Sequence, residues 1–355
     1  MTGSTFPPGL RFPTGAILGT HLIIAGTYLA HSYQSFSIWV LDLQTMQWSR
    51  IDPGKAVESG SWFRGCLAAQ RNKFYIFGNR DGNLVDDYNR RLLSWEHVAI
   101  VDLEAFGIYQ PPPAKVDISM QELGLSALEE GVLADFDIVC EDGRKVSVSR
   151  KLIEERWPWF REQRIKMLHA AMQAMEGQAT SPMHTEAPTN SKGPDPRLTS
   201  RALHISEPYP IVLALTQYFY AQALITPLQQ APAVLSQLLI LATNYQITHL
   251  EQLVKHAMHR ALSNSTSVGV YEVATLCNCR SLQIRALKTV MSYTQKRPGN
   301  KGKDGRGPPP PSNPDLNSNG RNNGELYSRP RGTSDARWRT AAGNGGESSG
   351  TYGKF

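Results

Sequence analysis

Residues 134–160 read ADFDIVCEDGRKVSVSRKLIEERWPWF, and the reading of this stretch decides the fold. Phe136, Ile138 and Cys140 alternate with more polar neighbours, as a half-buried strand does. Glu141-Asp142-Gly143 supplies acidic turn residues followed by glycine, a hairpin signal. Val146 and Val148 alternate again in a second strand. Leu152 and Ile153 open a helix that should break at Trp157, because the residue before a proline is pushed out of the α region. Pro158 then starts a second helix, where its missing N–H costs nothing.

Downstream, residues 170–201 are rich in Gly, Pro, Ser, Thr and Asn and are expected as a disordered insertion. Leu203 and Ile205 make a short strand, and Ile211, Leu213, Leu215 and the Tyr218-Phe219-Tyr220 cluster belong to a helix. Two further helices follow from Ala233, the second with Leu250, Leu253, Val254, Ala257 and Ala261 at 3–4 spacing. Residues 268–293 read as a final helix pair, and from Lys296 on the composition turns to Gly, Pro, Asn, Ser and Arg, a disordered tail.

Upstream of a connector over 107–131 lies a weak internal repeat. In each copy an Arg leads two apolar strands, the second ending at Gly26 or Gly78, and a third strand runs into Asp42-Leu43 or Asp102-Leu103. The two glycines are 52 residues apart. Trp48 follows the first Asp-Leu, and the second copy has no equivalent; Trp48, Trp62 and Trp95 read as sheet-packing aromatics.

The chain has 355 residues, 41% hydrophobic, enough for two domains with tails. No apolar run is long enough to cross a bilayer, and the N-terminus lacks the basic start and apolar core of a signal peptide. Cys66, Cys140, Cys277 and Cys279 show no disulfide-framework spacing and read as reduced intracellular thiols. The net charge of +6 belongs to the tail. From Lys296 on lie 11 of the 37 Lys and Arg but 5 of the 31 Asp and Glu, which leaves 26 of each before it.

The order strand, tight turn, strand, helix, Pro-started helix with an aromatic pair resembles the opening of a BTB (POZ) domain. Asp135 sits at the usual strand-opening acid, and Arg156-Trp157-Pro158-Trp159-Phe160 stands where the family has an Arg-Ser-Pro-Tyr-Phe-like run. Tyr218, Phe219 and Tyr220 match a later tyrosine signature, while Ser149 replaces a common His. The repeat resembles kelch blades of β-propellers, whose period is about 50 residues. Blades end the second strand with two glycines, because the chain turns tightly there with positive φ; here Thr27 and Asn79 replace the second.

These resemblances imply a mixed fold. Residues 1–106 are two kelch-like blades, 132–263 a BTB domain holding the insertion, 264–295 a helical extension and 296–355 a basic tail. Two blades do not close a propeller, which takes typically 4–8. A truncated N-terminus is the favoured explanation, and pairing with another copy is the alternative.

Asp137, Glu141 and Asp142 could be mistaken for paired catalytic carboxylates, but no nucleophile is positioned by the local sequence to work with them. Asp135 is read either as part of a charged pocket at a dimer interface or as an ordinary surface acid. His249, His256 and His259 fall on neighbouring parts of one helical face and are read as the wet border of an apolar stripe rather than a metal site. No phosphate loop, Gly-x-Ser-x-Gly or His-Glu-x-x-His motif occurs. Sparse Arg-Gly pairs in the tail read as solubilising rather than RNA-binding.

The implied protein is not an enzyme and has no catalytic residue, cofactor or metal. It resembles fungal kelch–BTB proteins, a group with a Ras-pathway regulator in fission yeast and a leucine-zipper-like regulator in animals. Its expected role is an adaptor, cytoplasmic with the nucleus as a second location. The BTB domain would form a homodimer and dock a cullin while the propeller holds a protein substrate for ubiquitination. The rival is a Ras or cell-polarity scaffold without ligase activity. Neither membrane nor nucleic acid is expected as a partner.

Overall fold

Alternating apolar residues and tight turns build the first hundred residues into two antiparallel meanders. The computed structural model describes residues 1–3, 6–30, 33–91, 94–179 and 200–296. The first sheet is β1 (Arg11–Leu18), β2 (His21–Ala30), β3 (Tyr33–Asp42) and β4 (Gln47–Ile51), paired in sequence order. The second is β5 (Ser61–Ala68), β6 (Lys73–Asn79) and β7 (His97–Asp102), with helix α1 (Leu84–Arg90) between β6 and β7, capped by Asn83.

Gly26 and Gly78 hold equivalent places, but not for the expected reason. β2 runs on to Ala30, so Gly26 does not end its strand, and neither glycine has a positive φ. Each faces an irregularity in the preceding strand: the β1–β2 register shifts between Arg11 and Thr14, and the β5–β6 register between Trp62 and Arg64. A Cβ at Gly26 would lie 2.8 Å from the Arg11 carbonyl oxygen, and one at Gly78 would strike the Ser61 carbonyl. Close backbone approach at a bulge is what excludes a side chain. Thr27 is buried and donates its hydroxyl to the Trp62 carbonyl at 2.6 Å, tying one sheet to the other.

The two sheets stack head to tail. Counted from the paired glycines, Ile23 and Ala25 correspond to Tyr75 and Phe77, and Leu22 and Ile24 to Phe74 and Ile76. The shared core takes Ile23 and Ala25 from the first sheet but Phe74 and Ile76 from the second, so opposite faces of equivalent units meet. Phe36, Ile38, Val40, Trp62 and Val101 complete this core. The other face of the first sheet buries Trp39, Leu41 and Trp48, and there Thr2 pairs with Gln47.

The stretch expected as a connector holds helix α2 (Ile118–Glu129), started by Asp117, whose carboxylate accepts from the Met120 amide at 2.8 Å. Then β8 (Phe136–Val139) and β9 (Lys145–Val148) form the hairpin. Gly143 turns it at φ 78°. α3 (Arg150–Arg156) stops at Trp157, which is extended at φ −128°, and α4 begins at Pro158. α4 continues to Ala179, ten residues into the expected insertion, because the run from Ala170 to Glu176 consists of helix formers (Ala, Met, Gln, Glu).

β10 (Ala202–His204) returns parallel to β8, giving sheet order β10-β8-β9. Helices α5 (Tyr209–Ala221), α6 (Pro227–Gln230), α7 (Pro232–Asn244), α8 (Thr248–Ala261), α9 (Ser267–Leu276) and α10 (Arg280–Lys296) follow. One core joins this α+β half, with Phe136, Val148, Trp157, Phe160, Phe219, Leu238, Leu250 and Leu282 inside it. The fold is mixed α/β, and no described helix is long and apolar enough to cross a membrane. Most of the expected insertion (residues 180–199) and the tail from 297 lie outside the described residues.

Candidate protein-interaction site

The residues singled out in the sequence mostly hold the fold. Trp157 and Phe160 are fully buried and Trp159 half-buried. Trp157 stacks on Phe219 with ring centroids 5.0 Å apart. Arg156 donates through Nη1 to the carbonyls of Phe219 and, at 3.0 Å, Tyr220, so it caps the end of α5. The Tyr220 hydroxyl accepts the Ser149 amide at 2.7 Å, and Tyr218 meets His249 Nδ1 at 3.1 Å. Burial raises the Tyr218 and Tyr220 phenols above their ordinary value.

Asp135 is the exception. It is half exposed, accepts the Arg150 amide at 2.7 Å and lies 3.6 Å from the Arg150 guanidinium. Asp137 faces away from the core and bonds Ser147. Glu141 and Asp142 flank the turn, where Asp142 pairs with Arg144 at 2.6 Å.

In the sheets, Asp42 and Asp102 both turn the chain after a third strand. Asp42 accepts from the Gln44 amide at 2.8 Å and Asp102 from that of Glu104 at 3.2 Å. Asp102 also accepts the Ser281 hydroxyl at 2.7 Å, so it touches α10. Trp48 and Trp62 are buried, whereas Trp95 is 55% exposed and packs edge-on against Phe63.

The histidines of α8 do not form a wet border. His249 and His259 are buried, at 8% and 3% exposure, and His256 bonds the Tyr109 hydroxyl at 2.9 Å. Glu104 and Tyr109, from the segment after β7, cover His259 and His256, and Tyr218 of α5 lies against His249. Among the described residues no group of three potential ligands could hold a metal ion.

Sequence reasoning missed Glu104, Tyr109 and Arg285, which meet His259 at that junction. It also missed α2. This helix turns Gln121 and Leu128 inward, with Gly124 against the Tyr220 carbonyl, and leaves Ile118, Met120 and Leu123 exposed, together with Leu133 just after it. A second apolar face is the outer side of β5–β7, where Val98 and Ile100 stand exposed beside Trp95. Contiguous exposed apolar groups are characteristic of surfaces that contact a protein, a membrane or a ligand.

No protein-family model matches the chain. It is similar to Protein ral2 of Schizosaccharomyces pombe, 29% identical over 296 residues that make up 82% of this chain and 48% of that protein. The chain thus spans about half the length of the curated relative it matches.

Proposed function

We propose that this protein is a non-enzymatic scaffold of Ras-pathway or cell-polarity signalling in the cytoplasm. Its α+β half pairs with a second copy as a BTB domain does, and its sheets hold a protein partner as kelch blades do. The signalling context rests on the kelch–BTB resemblance of the sequence and the likeness to Protein ral2. The observation that carries the pairing is α2, which exposes Met120 and Leu123 on one face, and Ile118 at its first turn, while its other side is anchored. Support for a non-enzymatic role comes from Asp42, Asp102, Arg156 and Tyr220, which engage backbone groups instead of converging on a cleft. The outer face of β5–β7 matches the kind of face its own sheet stack already buries, which favours a continuing propeller in a longer protein.

A second reading, docking to a cullin as a ubiquitin-ligase adaptor, draws on one feature. An apolar groove of about 410 Å³ runs between α7, α8 and α9, lined by Leu235, Met258, Ala261 and Val270. Sedimentation velocity on the full chain tests the scaffold. The wild type should run as a dimer and Leu123→Glu as a folded monomer; a monomeric wild type at tens of micromolar overturns the pairing. Calorimetry of the same dimer against a BTB-docking cullin separates the readings. Micromolar or tighter binding moves the protein to the ligase class, and no binding leaves the scaffold.

A further inference from the structure

The two sheets are built alike but end differently: the first has four strands and the second three. In the first the Leu43 amide bonds the Thr20 carbonyl, and in the second the Leu103 amide bonds that of Asn72, both at 2.9 Å. Hydrogen-bonded pairs alternate along an antiparallel ladder. Counting back from those bonds, Leu41 and Trp39 turn their main-chain groups to β2, and Val101 and Ala99 turn theirs to β6. Val40 and Ile38, and likewise Ile100 and Val98, point theirs the other way. In the first sheet β4 takes them, with Ser49 opposite Val40 and Ile51 opposite Ile38. In the second, no described strand pairs with β7 beyond β6.

The open edge is also apolar. Ile38 and Val40 are buried, whereas Val98 and Ile100 are 48% and 55% exposed. On the same face Phe77 stands opposite Val98 and Tyr75 opposite Ile100. Exposed edges are commonly blunted by Lys, Pro or a bulge, and β7 has none of these from His97 to Asp102. At Asp102 the Ser281 hydroxyl of α10 occupies the carboxylate at 2.7 Å, which leaves Val98 and Ile100 as the open stretch.

We propose that the free edge of β7 captures an extended segment of another protein as a fourth strand. This rests on the reading that the sheets hold a protein partner, and says where and how. The segment runs antiparallel to β7, as β4 does to β3, and exchanges main-chain hydrogen bonds with Val98 and Ile100. It carries an aliphatic side chain opposite Val98, where Ile51 stands opposite Ile38, and so extends the row Arg64–Phe77–Val98. Glu96 and Asp102 lie at either end of the stretch, so basic flanking residues suit it. A second β7 suits it less, because setting Val98 against Ile100 of the other copy brings Glu96 against Asp102.

The probe is a peptide copying Thr45–Ile51 (TMQWSRI) with a lysine added at each end. Residue-resolved hydrogen exchange on the full chain reads the edge. Without peptide, the Val98 and Ile100 amides should exchange freely while those of Ala99 and Val101 are protected. With peptide at about ten times its Kd, Val98 and Ile100 should slow by about tenfold. The same peptide N-methylated at the Ser49 and Ile51 positions has no donors to give and should leave them fast. Ile100→Pro removes an outward N–H, which an edge strand tolerates, and should abolish the protection. No saturable binding up to about 1 mM, or equal protection by the N-methylated peptide, overturns the proposal. Protection without peptide also overturns it: if it fades on dilution the occupant is a second copy, and if it persists the chain covers its own edge. The N-methylated peptide needs no variant, so the test stands even if Ile100→Pro does not fold. A chain that dimerises in sedimentation but binds no peptide keeps the paired scaffold and loses the captured strand.

Discussion

A Cβ at Gly78 would run into the Ser61 carbonyl, and one at Gly26 into that of Arg11, while Gly143 has open space around it and φ 78°. These are two different reasons to be glycine, and substitution separates them. Gly78→Ala should cost about 1–3 kcal/mol in urea unfolding, as an overpacked site does, and Gly78→Asn more. At Gly143 the order reverses, because Asn tolerates the left-handed region better than Ala. Equal losses from Ala and Asn at Gly78 would argue against the steric account. That glycine was needed at 26 and 78 was legible from the repeat. The reason was not, because it lies in the bulge of the neighbouring strand, which no local pattern records.

Among the elements, the hairpin and the break at Trp157 were legible because turn chemistry and the Trp-Pro dipeptide act locally. Helix α2 was not: it buries one polar and one large apolar side chain, Gln121 and Leu128, leaves Leu125 half-buried and exposes Ile118, Met120 and Leu123, so no core-facing stripe announces it. Its seat against the end of α5 gives a prediction with an inverted sign. Gly→Ala inside a helix ordinarily stabilises by about 1 kcal/mol. Gly124→Ala should instead destabilise by about 1–3 kcal/mol, since the new methyl meets the Tyr220 carbonyl. A thermal melt with a raised midpoint would refute the contact. α8 shows the converse: its apolar stripe was plain in the sequence, but whether His249 and His259 bordered water depended on what packs over them.

For the molecule as a whole, the junction had no sequence signal, since Glu104 and His259 stand 155 residues apart. The shared core of the two sheets is equally non-local and makes them one cooperative unit. Phe74 is fully buried there, and Phe74→Ala should cost about 3–5 kcal/mol. Hydrogen exchange should then rise alike in β3 and β6; loss of protection in β6 alone would mean the sheets unfold separately.

The head-to-tail arrangement of those sheets bears on how such a chain can change length over evolutionary time. In their joint one face of the first unit meets the opposite face of the second, so the stack has a direction. A duplication of the 52-residue segment, inserted in the loop between β4 and β5, would meet ready-made neighbours on both sides. Growth or loss by whole units then requires no new interface to be invented. Selection on the inner faces acts on a reusable joint rather than on a single fit.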